Sequence, residues 1–249
     1  MQILLLDIET APNTAHVWGL WNQNVSINQL MESSYVMCWA AKWLGKKQIM
    51  FDSIMESSHS NMIKGIKKLL DECDAVIHYN GSKFDIPTLN KEFLLLGLSP
   101  PAPYKEIDLL RTARSRFKFP SNKLDYVAQQ LGVGKKTHHT GHELWLKCMA
   151  KDKKAWATMK KYNKNDVVIL EKVYEKMLGW INNHPNHNMY TDIRVCPKCG
   201  SNHLQRRGTA CNTRFVYTRY QCQSCGSWSR GNKSERSKSS NSNISTSGS

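Results

Sequence analysis

Asp7 and Glu9 stand two residues apart in Ile3-Leu4-Leu5-Leu6-Asp7-Ile8-Glu9-Thr10. An apolar run interrupted soon afterwards by Pro12 reads as a buried strand. Alternation along a strand sets both carboxylates on one face. Buried together, two acids repel each other and lose hydration, a cost that a cation removes. Oxygen-only ligands suit a hard ion, Mg²⁺ or Mn²⁺. Taken alone, Asp-x-Glu also fits a solvated strand end, so its meaning depends on which other acids join it.

Two more acids have the right surroundings. Asp85 follows Asn80-Gly81-Ser82-Lys83-Phe84, just past the apolar strand Ala75–Tyr79 and beside a helix start. Open α/β sheets build their sites beyond such carboxyl ends. Asp166 precedes the apolar run Val167-Val168-Ile169-Leu170, and Tyr162, four residues before it, shares its helical face. Four such carboxylates can hold two divalent ions about 4 Å apart, clamping the attacking and leaving oxygens of an in-line phosphoryl displacement.

A second chemistry lies near the other end. Of the eight cysteines, Cys38, Cys73 and Cys148 sit in apolar or helical context and read as buried thiols. Cys196 and Cys199, then Cys222 and Cys225, form two Cys-x-x-Cys pairs, each followed by a glycine that permits a tight turn. Four thiolates so paired predict one structural Zn²⁺ in a zinc ribbon, with rubredoxin-like iron as the alternative. Cys211 and His203 are second choices as ligands. Thr213–Tyr220 alternates as a strand should. Arg206, Arg207, Arg214 and Arg219, interleaved with Phe215, Tyr217 and Tyr220, suggest a surface that grips phosphates and stacks bases. Docking on a replication or repair protein is the other use of such a module.

These groups need elements to position them. Tyr35–Leu44 and Lys47–Phe51 predict two strands joined at Gly45, and Glu106–Leu110 a short strand. Helical patterns cover His59–Cys73, Ser82–Leu96 with Pro87 in its opening turn, Arg111–Phe117, Lys123–Leu131 and about Ala155–Trp180, with another through Leu146. Asp108 reads as a strand-end or helix-capping acid, or as a fifth acid near the site. Gly134–Thr140 reads as a flexible basic loop near the substrate, with His138, His139 and the nearby His142 as further candidates for phosphate or metal. Lys83, Lys135 and Lys136 read as solvated charges that steer a polyanion. Trp18 and Trp21 are expected in core or lid packing, with base stacking as the other use. The order of elements predicts an α/β fold whose sheet holds antiparallel and parallel members. The expected organisation is a first domain over 1–181, a polar linker over 182–192, the ribbon over 193–230 and a disordered Ser-rich tail over 231–249.

Composition bounds the function classes. The chain has 249 residues, 40% of them hydrophobic, enough for one sizeable core and a small appendage. Its formal net charge is +15; from Ile193 onward ten Lys/Arg meet one acid, Glu235. Such a balance favours nucleic acid as partner. No apolar run reaches the roughly 20 residues of a membrane span, and the first residues lack the pattern of a secretory signal. A soluble, cytoplasmic protein is expected, with no membrane partner.

Leu6-Asp7-Ile8-Glu9-Thr10, Asn80-Gly81-Ser82-Lys83-Phe84-Asp85 and Tyr162-Asn163-Lys164-Asn165-Asp166 together resemble the three motifs of the DEDD superfamily of 3′–5′ exonucleases, whose fold is ribonuclease-H-like. A Tyr four residues before the last Asp, with Lys161 where the histidine subtype has its His, is similar to the tyrosine subtype. The likeness covers about residues 1–181 and is greatest to the proofreading domain of family B DNA polymerases and to stand-alone phage and bacterial relatives, which places the chain in a prokaryotic or phage-infected cell. It implies a ribonuclease-H-like mixed sheet flanked by helices and two Mg²⁺ or Mn²⁺ ions. By the same likeness Asp7 bridges both ions, Glu9 and Asp166 complete the nucleophile-side ion, and Asp85 serves the second, partly through water. Tyr162, with an ordinary pKa near 10, positions the attacking water, and Asn80, Phe84 and Thr10 contact the substrate strand, Phe84 serving equally as a core residue.

The implied activity is release of 5′-mononucleotides from the 3′ end of single-stranded nucleic acid, DNA first. An RNA exonuclease or structure-dependent endonuclease on the same scaffold, and a non-catalytic binding or adaptor protein, are the rivals.

Overall fold

The first strand, β1 (Ile3–Thr10), is the middle member of a five-stranded sheet in this computed structural model, which describes residues 1–212 and 215–235. A short two-stranded ribbon, β2 (Thr14–Ala15) and β3 (Leu30–Glu32), follows it. Then β4 (Val36–Trp43) pairs antiparallel with β1, and β5 (Met50–Ser53) antiparallel with β4, as the predicted hairpin requires. After α1 (His59–Glu72), β6 (Ala75–His78) pairs parallel with β1; after α2 (Asp85–Leu95), β7 (Lys105–Asp108) pairs parallel with β6. The sheet order is β5-β4-β1-β6-β7, the mixed α/β sheet expected. Helices α3 (Leu109–Arg116), α4 (Leu124–Gln130), α5 (His142–Met149) and α6 (Lys153–Met177) complete this part of the chain.

Alternation decides which way the acids of β1 point. Leu4, Leu6 and Ile8 pack with Ile63 and Ile66 of α1 and Leu89 and Phe93 of α2. Asp7 and Glu9 therefore emerge on the opposite face. There Met37 and Cys38 of β4 pack with Leu144 and Cys148 of α5 and with Trp156, Met159 and Tyr162 of α6. The register between β1 and β4 shifts just after Glu9, and such irregularities bend a strand and re-aim its side chains. Cys38, Cys73 and Cys148 are buried, as expected.

Two expectations are narrowed in this region. Trp18 and Trp21 are 98% and 83% exposed, so neither belongs to the core. The apolar side chains beside them, Leu20 and Ile27 among them, are exposed as well, so the segment offers the indoles no buried surface. The loop at 134–140 is not free, because its Lys136 amide donates to Asp125 and its Lys135 carbonyl accepts from Asn165.

The chain divides into two units, one over Gln2–Glu175 and one from Lys176 onward. The second holds a three-stranded antiparallel sheet of β8 (Leu204–Cys211), β9 (Val216–Cys222) and β10 (Trp228–Glu235) in the order β10-β9-β8. Two nearly identical turns precede its first and third strands. Gly200 and Gly226, each at φ +73°, donate their amides to Cys196 and Cys222. The stretch expected as a linker is partly folded into this unit, because the Asn188 side chain accepts from the Val195 amide and donates to its carbonyl. The tail expected from 231 begins as strand, since residues 231–235 continue β10 and Ser234 and Glu235 pair with Tyr217 and Val216. A polar composition did not prevent pairing, because backbone groups supply it. Thr213, Arg214 and residues 236–249, which include the rest of the expected tail, lie outside the described residues. Among the described residues no helix is long and apolar enough to cross a membrane.

Candidate active site

Three of the four expected acids meet at the tip of β1. Asp7 and Glu9 from the strand and Asp166 from α6 each offer an oxygen, and these oxygens lie within 4.8 Å of one another. Asp166 is 1% exposed because it continues the buried stripe of α6 through Met159, Tyr162 and Asn163. The fourth acid arrives from another direction. Pairing of β1 with β6 covers only Ile3, Leu4 and Leu5, so the Ile8 amide lies past the last paired residue. Asp85, the first residue of α2, takes that amide through Oδ1 at 3.2 Å. The carboxyl end of β1, past its parallel pairing with β6, thus carries acids from two directions.

Their electrostatics show strain. Burial, then Glu9, Asp166 and Asp85, push Asp7 well above the usual carboxylate range. Burial raises Glu9 to about 8 and Asp85 to about 6. Asp166 is raised by burial too, although Lys136 opposes the shift. The cluster carries more negative charge than its neighbours neutralise, and Asp166 Oδ1 is buried without a hydrogen-bond partner. All-oxygen donors, crowded carboxylates and an unpartnered buried oxygen fit a hard divalent cation. Asp7, Glu9 and Asp166 would hold it, with Asp85 facing the same strand tip.

Two residues that the sequence did not single out for this work complete the site. Asn163 is fully buried and donates to Asp7 Oδ2 at 2.6 Å and to the Asp7 carbonyl at 3.3 Å. It sits three residues before Asp166, so helical spacing could have found it. Lys136, expected to be a solvated steering charge, instead reaches into the cluster. Its Nζ donates to Asp166 Oδ2 and, at 3.0 Å, to the Tyr162 hydroxyl. Burial lowers the tendency of its amine to hold a proton, but Asp166, Tyr162 and Asp7 more than reverse this, so it stays charged. No local pattern marks Lys136, because a loop has no period.

Tyr162 is almost buried, and burial followed by Asp166 and Glu9 raises its phenol, which keeps its proton. The His139 ring lies edge-on to it at 4.8 Å and to Trp145 at 5.2 Å. His138 and His142 are exposed. Asn80 has φ +70°, and its amide donates to Asp108, which also accepts from Leu110 and Arg111 and so caps α3. Phe84, which could have been core, is 45% exposed. Thr10 is half-buried beyond the acids, whereas Lys83 and Lys135 are exposed.

In the second unit the sulfurs of Cys196, Cys199, Cys222 and Cys225 lie within 4.8 Å of one another. Burial acts to raise the Cys222 thiol, but amides of Cys225 and Ser224 outweigh it and bring the group down to about 7. Four convergent sulfurs on two such turns fit a tetrahedral thiolate metal such as Zn²⁺. Cys211 and His203 are exposed and outside the cluster.

The backbone has a counterpart among solved structures. The family B DNA polymerase from the hyperthermophilic archaeon Pyrobaculum calidifontis matches 72% of this chain with a TM-score of 0.55 and 20% sequence identity. The match spans 24% of that polymerase, so the likeness is to a part of it and concerns the fold. No curated protein matches the sequence. Residues 4–178, which run from β1 to the end of α6 and contain every acid of the cluster, match the RNase_H_2 family, and the chain belongs to the RNase_H superfamily.

Proposed function

We propose that this protein is a divalent-metal-dependent 3′–5′ exonuclease of the tyrosine DEDD subtype, removing 5′-mononucleotides from the 3′ end of single-stranded DNA. The observation that carries the reading is the meeting of Asp7, Glu9 and Asp166 within 4.8 Å, with Asp85 on the Ile8 amide. Strand polarity and the choice of DNA rest on the likeness of the three motifs to polymerase proofreading domains.

Asp7, Glu9, Asp85 and Asp166 would hold two Mg²⁺ or Mn²⁺ ions. When bound, such a pair lowers the pKa of a water and neutralises the departing 3′-oxygen. The chain's own groups do the positioning. Asn163 fixes the Asp7 carboxylate through the 2.6 Å bond. Tyr162 keeps its proton and can orient the attacking water by hydrogen bond rather than remove its proton. Lys136 fixes the Tyr162 hydroxyl and supplies a positive charge where negative charge builds on a phosphate. Exposed Phe84 offers a ring to the terminal base, and Asn80 and Thr10 flank the strand's path. One Zn²⁺ on Cys196, Cys199, Cys222 and Cys225 would supply folding free energy to a unit with little core.

Oligomers of one sequence, as DNA and as RNA, labelled at either end and incubated with Mg²⁺, Mn²⁺ or chelator, test the proposal. Metal-dependent mononucleotides from the 3′ end of DNA, lost with Asp7→Ala, are expected. Faster loss of RNA would move the substrate, and cutting of a circular single strand would make it an endonuclease. No cleavage of any substrate would leave a binding protein on a nuclease scaffold.

A further inference from the structure

The ribbon sheet has two unlike faces. Registers place Gln205 opposite Gln221, Gln221 opposite Trp228 and Arg219 opposite Arg230. These residues and Tyr217 therefore share one face, while Cys222 and Tyr220 point to the other. Arg219 is stacked over the Trp228 ring at 4.9 Å and Arg230 over Tyr217 at 4.0 Å. Arg207, bonded to Gln205 and accepting Arg219 Nε on its carbonyl, extends the row. Arg207, Arg219, Arg230 and Trp228 are all exposed. Glu235, the single acid from Ile193 onward, bonds to Arg206 and Thr218 on the opposite face. Among the described residues, this face carries no carboxylate.

We propose that this face is a binding platform for single-stranded nucleic acid, separate from the acid cluster. A guanidinium lying on an aromatic ring is held by the cation–π attraction, so little freedom is lost when it meets a phosphate. Its outer plane also accepts a stacked base, and its edge N–H groups donate to phosphate oxygens. Two such stacks, each spanning β9 and β10, with the Gln205 and Gln221 amides level with Trp228, match the basic, ring-bearing surfaces that take unpaired strands. The charge is of one sign, which favours a polyanion over an ordinary protein face.

The test uses the full chain carrying Asp7→Ala, so that the probe survives, and a fluorescein-labelled oligothymidylate followed by anisotropy across a salt series. Adding Arg219→Gln with Arg230→Gln is expected to weaken binding at least tenfold and to reduce the slope of log K against log salt by about 1.4, roughly 0.7 for each lost phosphate contact. Trp228→Ala is expected to weaken binding roughly tenfold with the slope unchanged, and Trp228→Phe to retain most of it. Arg206→Gln on the other face, which removes one charge, is the control and should do much less than half of what the double variant does. Zinc content measured in each sample, expected equal to the parent's, separates lost contacts from lost folding. If the face variants keep their zinc yet weaken binding no more than Arg206→Gln, the platform is wrong and the face belongs to a protein partner. The binding readout needs no hydrolysis, so a parent that binds through this face but cuts nothing would sink the exonuclease reading alone.

Discussion

Asn163 and Lys136 are the neighbours that hydrogen-bond the crowded acids, Asn163 to Asp7 and Lys136 to Asp166. The Asn163 amide is the direct donor to Asp7, and Asn163 itself is fully buried. Asn163→Ala should leave Asp7 free to rotate and to hold a proton more strongly. Supporting residues of this kind are worth about 10–100-fold in metal affinity, so Mn²⁺ titration by calorimetry should show at least a tenfold loss, with urea unfolding lower by about 1–3 kcal/mol. Unchanged Mn²⁺ affinity would remove Asn163 from the account. Lys136 donates to Asp166 and to Tyr162. Lys136→Met keeps the stem but removes the charge, and kcat should fall on the order of a hundredfold with circular dichroism unchanged. Parent-like kcat would mean that the ammonium has no part in turnover.

The turn between β6 and α2 carries Asn80, Phe84 and Asp85, and its shape depends on one buried ring. His78 is fully buried, accepts the Gly81 amide on Nδ1 at 3.0 Å and lies 3.2 Å from Glu106 through Nε2. A Cβ on Gly81 would lie 2.3 Å from the His78 ring. Gly81→Ala must therefore move either the ring or the turn. The expected cost is about 1–3 kcal/mol, with activity falling further than stability predicts because Asp85 starts at the end of that turn. Gly97, at φ +66° with nothing near its missing Cβ, is the contrast. Gly97→Ala should lose a similar amount of stability from left-handed strain while keeping its turnover. Equal turnover in both variants would show that the turn tolerates displacement. Much of this element was legible beforehand, because an apolar strand, an Asn-Gly turn and a helix start are local signals. The His78 clash was not, since it depends on the path of the chain between residues three apart.

Across the whole molecule, the acid cluster makes stability depend on pH and on cations in a defined direction. Burial holds Glu9 up to about 8 and Asp85 up to about 6, whereas in the unfolded chain both titrate near 4. Between those values the folded state binds more protons than the unfolded one, so stability falls as pH rises from about 4.5 to about 8. A divalent ion takes over the role of those protons. Melting temperatures in buffer free of Mg²⁺ and Mn²⁺ should therefore drop across this window, and the gain on adding Mn²⁺ should be larger at pH 8 than at pH 5. A flat profile, or a gain larger at low pH, would contradict a metal site at β1. The second unit should respond separately. Cys222→Ser should remove its zinc and its protection from protease while metal-dependent cleavage persists, and retained zinc by elemental analysis would discard the four-sulfur site.

Local order along the chain was enough to single out the acids and cysteines that the structure gathers into two clusters. Asp7 and Glu9 share a face because strands have a period of two, Tyr162 and Asp166 because helices repeat every 3.6 residues, and two Cys-x-x-Cys pairs are a local pattern that the fold brings together. The mixed sheet followed from the alternation of strand and helix patterns. What the tertiary structure decided was how distant pieces meet: Asp85 on the Ile8 amide past the last β1–β6 pair, Lys136 brought from a loop to Asp166, two tryptophans left outside, and the ribbon's third strand carried through Glu235. Such contacts depend on where sheets part and loops cross, and these are set by packing between segments far apart in sequence, which no single stretch of residues encodes.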